Sequence, residues 1–190
     1  MSGASGKRVS FDDEPLIVVD EDDNVLDYRP KAQLHLGDGI LHRAFSVFLF
    51  NAKGEILLQQ RSPDKMLWGG YWSNSCCSHP RRGESVPEAA GRRLSEELGV
   101  DTALEYVYTF TYHARFGDVG SEREVCSVFL GSSDAPIAVN ETEIADWRWI
   151  SVEALSAELA NEGDSFTPWL KMEWARLREE FPALLSRYAG

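Results

Sequence analysis

A mixed α+β fold in one domain is what this chain predicts, on three observations. Short apolar runs bounded by turn residues recur along it and read as strands. A well-punctuated helix sits between them, and a longer helical pattern closes the chain. No repeat and no linker-like stretch interrupts its 190 residues, which at 43% apolar suffice for one ordinary core.

Taken in order, residues 1–14 are small, polar and partly acidic, so a disordered tail is expected there and the domain proper over 15–190. Residues 16–19, an acidic turn over 20–24 and Val25-Leu26 read as a hairpin. An apolar strand follows at 44–50, a turn at 51–54 and a returning strand at 56–60. Residues 61–80 are irregular and rich in Gly, Pro, Trp and Ser; a loop of that length inside a compact domain points to function. Then comes the helix. Ser85 and Glu88 form a capping box with Pro87 in the first turn. Val86, Ala90, Leu94 and Leu98 make a buried stripe, and Gly99 ends it. Strands are expected at 104–112, 125–130 and 146–150, and a helix from Ser151. A last helix is expected over 168–188, with Leu170, Trp174, Leu177 and Phe181 on one side.

Charge excludes some functions. A net charge of −12 argues against nucleic-acid or membrane-surface binding, which need a basic face. An anionic substrate would require the few basic residues, or a metal, to gather at one spot. No apolar run of membrane-spanning length exists. The three cysteines are an odd number, and no signal-peptide core stands near Met1, so a reduced, cytoplasmic setting is expected.

The chemistry concentrates in two places. One is SNSCCSHP, residues 73–80, where adjacent cysteines precede a histidine. A zinc ribbon would need a second cysteine pair, and the only other cysteine is Cys126. The Cys-x-x-Cys redox spacing is absent. The other place is the helix. Between Ser78 and Val100, residues Glu84, Arg92, Leu94, Glu96, Glu97, Gly99 and Val100 stand at the offsets of the Nudix box. That box brings a divalent cation to a diphosphate. Ser78 replaces its first glycine, and Arg93 replaces a glutamate that is a principal metal ligand. A phosphate-binding group thus stands where a cation-binding one is usual. Alone, such a helix reads equally well as a charged amphipathic helix with a solvated face.

It does not stand alone. KAQLHLGDGILHRAFSVFLFNAKGE, WSNSCCSHP, the altered helix, EREVCSVF and FTPW run from Lys31 to Trp169. Through these the chain resembles the type I isopentenyl-diphosphate isomerases, a branch of the Nudix fold. The resemblance implies a Nudix-type mixed β-sheet sandwiched by helices. It also implies an intramolecular oxidoreductase that transposes a C=C bond, turning isopentenyl diphosphate into dimethylallyl diphosphate through a carbocation. Cys77 and Glu124 would exchange protons with opposite faces of the allyl unit, Glu124 being held by a metal and by the Tyr112 hydroxyl. Trp169 would face the cation. Lys31, Arg61, Lys65 and Arg93 match diphosphate-binding positions. Mg²⁺ would bridge the diphosphate to Glu97, with help from the Cys77 carbonyl. No flavin is implied, and the partner is a small isoprenoid diphosphate; the chain is expected to be a monomer, with a dimer left open. Cys76 and Cys126 read as buried inert thiols.

The residues support a metal independently. His35 and His42 alone would pass for core or surface histidines, and His113 lies outside the matching segments. Glu122 and Glu124, however, open a strand and point to one face. With His35, His42 and His79 they offer three imidazoles and two carboxylates, which suit Mn²⁺, Mg²⁺ or Zn²⁺. Two rivals remain at this stage. A Nudix pyrophosphohydrolase is favoured by Glu96-Glu97 and disfavoured by Arg93. A zinc-binding structural module gives Lys31 and Arg61 no role.

Overall fold

The computed structural model describes residues 6–161 and 163–190. Its centre is the strand β3 (His42–Phe50), buried along nearly its whole length. One edge of β3 pairs in parallel with β8 (Gly120–Ser132). The other edge takes three antiparallel partners in turn: β1 (Pro15–Val19), β6 (Cys76–Ser78) and β4 (Ile56–Arg61). β1 carries β2 (Val25–Pro30), β4 carries β5 (Trp72–Ser73) and β9 (Ile144–Ile150), and β7 (Leu104–Phe116) forms a long hairpin with β8.

Strand alternation on β3 divides the core. Phe45, Val47 and Leu49 pack against Ala89, Ala90, Leu94 and Leu98 of α2 (Val86–Leu98). Phe48 and Phe50 pack on the opposite face, where Leu155 of α3 (Val152–Asn161) and Leu170, Trp174 and Leu177 of α4 (Pro168–Glu180) meet them. The mixed sheet is therefore sandwiched by helices, as expected. The capping box of α2 is fully formed, and Gly99 ends the helix in the left-handed region at φ 67°, where a side chain would be strained. The Ser151 hydroxyl accepts from the amide of Ala154 and so caps α3.

Three expectations change. The stretch 61–80 is not wholly irregular, since it contains β5 and β6. The β7–β8 hairpin runs on to Phe116 and restarts at Gly120, beyond the expected ends. The last helix is two helices. Phe181 leaves the helical region (φ −125°, ψ 39°) and Pro182 opens α5 (Pro182–Ala189). Proline has no N–H to continue the ladder, and its ring collides with the preceding turn, but it suits a first helical position. Phe181 instead stacks on Tyr108 at 5.2 Å.

A one-turn helix, α1 (Lys31–Leu34), had no signature in the sequence. Of the tail expected to be disordered over 1–14, residues 1–5 lie outside the described residues. From Lys7 on, its backbone is pinned by donors that need acceptors. Asn140 donates to the Lys7 carbonyl, Arg93 and Arg81 to that of Val9, and the Lys31 ammonium to the Ser10 hydroxyl at 2.6 Å.

Candidate active site

The five expected metal ligands come from four separate places. His35 ends α1, His42 opens β3, His79 follows β6, and Glu122 and Glu124 lie on one face of β8. His42 stands directly opposite Glu124 in the parallel register. Gly120 permits the fifth approach: a Cβ there would sit 2.1 Å from the His35 carbonyl, which accepts from the Ser121 amide at 2.9 Å. One ligand atom from each of the five residues falls within 4.8 Å of the others.

The imidazoles are oriented from behind. His35 Nδ1 lies 2.8 Å from the Lys31 carbonyl and His42 Nδ1 lies 2.7 Å from that of Ile40, so both Nε2 atoms turn inward. His42 Nε2 is buried without a hydrogen-bond partner, 3.7 Å from Glu124 Oε1, while His35 Nε2 and Glu122 Oε2 meet only each other at 2.9 Å and His79 Nε2 meets Glu124 Oε1 at 2.9 Å. Orphaned buried polar atoms are rare and costly. Here these atoms form a set that a divalent ion would satisfy. Burial pulls His42 down to about 4 and His79 well below its usual range, leaving both neutral as ligation requires. Burial also opposes charge on His35, but Glu122 beside it wins and raises its pKa. The two carboxylates diverge. Burial disfavours the Glu122 anion, yet His35 draws it down to about 2, whereas burial and the Glu122 charge push Glu124 well up.

Next to this cluster lies a cavity of about 810 Å³ lined by His35, His79, Glu122 and Glu124, and also by Cys77, Tyr112 and Trp169. Tyr112, opposite Glu124 across the hairpin, donates its hydroxyl to Glu124 Oε2 at 2.6 Å. On β6 the adjacent cysteines face opposite ways. Cys76 pairs with Val47 and is buried under α2, while Cys77 pairs with Ser46 and faces the cavity. The Cys77 thiol donates to Asn74 Oδ1 at 2.7 Å and receives the Ser46 hydroxyl at 3.6 Å. Burial, with Glu173 nearby, pushes it up to about 12. Trp169 is held by its ring N–H, which donates to Ser73 at 3.0 Å, and it meets Trp68 edge-on at 5.3 Å.

Lys31, Arg61, Lys65 and Arg93 line the same cavity. Among these cations stands Glu143, which the sequence reading missed. It pairs with the Lys65 ammonium and with Arg93 at 3.1 Å. Arg93 also holds Glu97 at 2.5 Å, and Glu97 lies outside the five-ligand cluster. Arg61 donates to the carbonyls of Leu67 and Trp68, and its guanidinium lies 5.2 Å from the Trp169 ring. Burial, then Lys65 and Arg93, pull Lys31 down to about 8. His113 is exposed on the far face of β7.

Signals for the other missed residues were present but weak. Ser73 and Asn74 sit inside SNSCCSHP, Ser46 interrupts an apolar strand, and Glu173 lies one turn after Trp169 on the buried side of α4. Glu143 is one of 31 acidic residues and had no distinguishing mark.

A NUDIX domain is matched over residues 40–170. Isopentenyl-diphosphate Delta-isomerase 1 of Photorhabdus laumondii subsp. laumondii is 42% identical over 164 residues, covering 85% of this chain and 93% of that protein. The isopentenyl-diphosphate Delta-isomerase of Burkholderia multivorans is 43% identical, covering 83% and 89%. A Deinococcus radiodurans crystal structure superimposes with a TM-score of 0.71 at 25% identity, over 86% of this chain and 98% of that one. Sharing both fold and sequence with these proteins, the chain belongs to the isopentenyl-diphosphate Delta-isomerases of the NUDIX superfamily.

Proposed function

We propose that the protein isomerises isopentenyl diphosphate to dimethylallyl diphosphate. The observation that carries this reading is the convergence of Cys77, Glu124 and Trp169 on a cavity that also gathers four cations, in a chain of net charge −12. The reaction adds a proton to the terminal alkene carbon and removes one two carbons along. Cys77 and Glu124 carry these two transfers, each worth about 10²–10⁴-fold. Asn74 and Ser46 hold the sulfur, and Tyr112 fixes one oxygen of Glu124. The intermediate is a tertiary carbocation that water would capture. A desolvated aromatic face stabilises such a cation by about 2 kcal/mol, and Trp169, only 3% exposed, offers that face.

His35, His42, His79, Glu122 and Glu124 are assigned to a first-row divalent ion, Mn²⁺ or Zn²⁺. Bound there, the ion would supply positive charge that keeps Glu124 ionised against its burial. Lys31, Arg61, Lys65 and Arg93 would take the diphosphate, and Glu97 with the Cys77 carbonyl would hold Mg²⁺, which would supply further positive charge to it. Glu97 is engaged by Arg93 at 2.5 Å, so its carboxylate would have to be shared between the guanidinium and such an ion. A pyrophosphohydrolase is disfavoured by Arg93 itself, which stands where that reaction's metal-binding glutamate is usual and lies 3.1 Å from Glu143. We place the enzyme in the cytoplasm, as a monomer with a dimer left open. Among the described residues no helix is long and apolar enough to cross a membrane.

The test is incubation of isopentenyl diphosphate with protein and divalent metal in D₂O, followed by NMR. Deuterium in a methyl group of dimethylallyl diphosphate supports the reading, and release of inorganic phosphate without rearrangement overturns it. Cys77→Ala and Glu124→Gln should each abolish turnover with the fold intact. Cys76→Ala should stay active, because its thiol faces the α2 core; the reverse pattern would exchange the two cysteines' roles.

A further inference from the structure

Behind the reacting thiol lies a buried carboxyl that the proton transfers do not use. Glu173 is completely buried on α4, one helical turn beyond Trp169. Its Oε1 accepts the Cys126 thiol at 3.6 Å, and its Oε2 has no partner. Cys126 in turn lies 3.6 Å from the Ser46 hydroxyl, which donates to the Cys77 sulfur at 3.6 Å. Strand register makes this chain of contacts. Ser46 faces Cys77 across the β3–β6 pair, and Cys126 stands opposite Ala44 on the same face.

We propose that Glu173, through Cys126 and Ser46, positions the Cys77 sulfur for proton transfer. The proposal rests on the isomerase reading. Neighbouring positions in this wall, Ala44, Leu67 and Trp169, are packed as a hydrophobic cluster, so a carboxyl at its back is costly. An apolar residue of similar size would pack there without an orphaned oxygen, and replacing buried polar groups that way is often neutral or stabilising. A cost borne beside a reacting atom is where function is expected. Burial pushes Glu173 up to about 8, so near neutral pH it is a carboxylic acid, with a donor and an acceptor, rather than an anion. Glu173 also sits on the helix that carries Trp169. It therefore registers the aromatic face and the thiol against each other through the buried path of Cys126 and Ser46.

An amide copies a neutral acid, which makes the proposal testable. Glu173→Leu should lower kcat about 10-fold, the scale of one lost hydrogen-bonded contact. KM and bound metal should be unchanged, and the melting temperature equal to or above that of wild type. Glu173→Gln should restore most of the lost rate. Ser46→Ala, which removes only the hydroxyl nearest the sulfur, should repeat the kcat loss with KM spared. Wild-type kcat in either Glu173→Leu or Ser46→Ala overturns the proposal. So does a Glu173→Gln rate no better than that of Glu173→Leu, or a rate loss matched by a fall in melting temperature. Absence of turnover in the wild type itself would strike the assigned reaction instead, so the two failures are distinguishable.

Discussion

At the histidine–glutamate cluster, His42 Nε2 is buried with no hydrogen-bond partner, and His35 Nε2 and Glu122 Oε2 have only each other, at 2.9 Å. At the cation cradle of the same cavity, Lys65 and Arg93 share Glu143, and Arg93 holds Glu97 as well. The first site leaves one buried nitrogen over after its own pairs are made, and the second has its cations matched by carboxylates. A ligand entering the first relieves a standing desolvation cost, whereas an anion entering the second must compete with carboxylates. The difference teaches why the two ends should answer differently to perturbation. Metal should change stability as well as rate, and the cradle should change affinity.

The largest effect expected is from metal removal. Chelation, or His79→Ala, should take turnover to background and lower the melting temperature. An ion at 100 times its dissociation constant stabilises a native protein by about 2.7 kcal/mol. Turnover, thermal melting and elemental analysis, each with and without added ion, check this. A melting temperature indifferent to metal would break the contrast between the two ends.

Trp169 belongs to neither end, and its substitution sharpens the comparison. Losing about 2 kcal/mol of cation stabilisation would slow Trp169→Leu about 30-fold, with Trp169→Phe intermediate. The loss should fall on kcat rather than KM, because the neutral alkene gains little from the ring. Equal kcat in wild type and Trp169→Leu would reduce the indole to a packing role.

A smaller effect, of opposite sign, is expected at Glu143. Glu143→Gln removes the carboxylate that competes for Lys65 and Arg93. It should tighten inorganic diphosphate about 5-fold by calorimetry, the scale of one partly screened charge. Burial favours protonation of Glu143, but Lys65 and then Arg93 outweigh it, so its charge is present near neutral pH. Weaker diphosphate binding in the variant would show that Glu143 orients the cations more than it occupies them.

What the sequence revealed was local or matched a known pattern. The α2 capping box and Gly99 could be read because their hydrogen bonds join residues three or four apart. The strands could be read from their apolar runs, though β6 could not, since its three residues have no period of their own. The break at Phe181 was signalled by Pro182, but the apolar spacing across it masked the signal. The four cations came from the resemblance and the five candidate metal ligands from it together with residue chemistry and strand alternation; the structure brings those five together and lines one cavity with the cations. Glu143, Ser46 and Glu173 were not picked out. Their environments are made by residues far away in the chain, and an acid at a buried tertiary contact looks like any other acid in a sequence.

The parallel pairing of β3 with β8 also has a consequence for how the molecule is made. His42 and Glu124 meet only when that pair has closed, and the intervening chain includes β6, α2 and β7. Closing so long a loop is slow, because its entropy is lost before any contact returns it. An ion held by both residues would therefore be expected to bind after the sheet has closed rather than to nucleate it. Such an ion would tie chain segments that are distant in sequence, much as a cross-link would, and strand separation at β3–β8 would have to release it first.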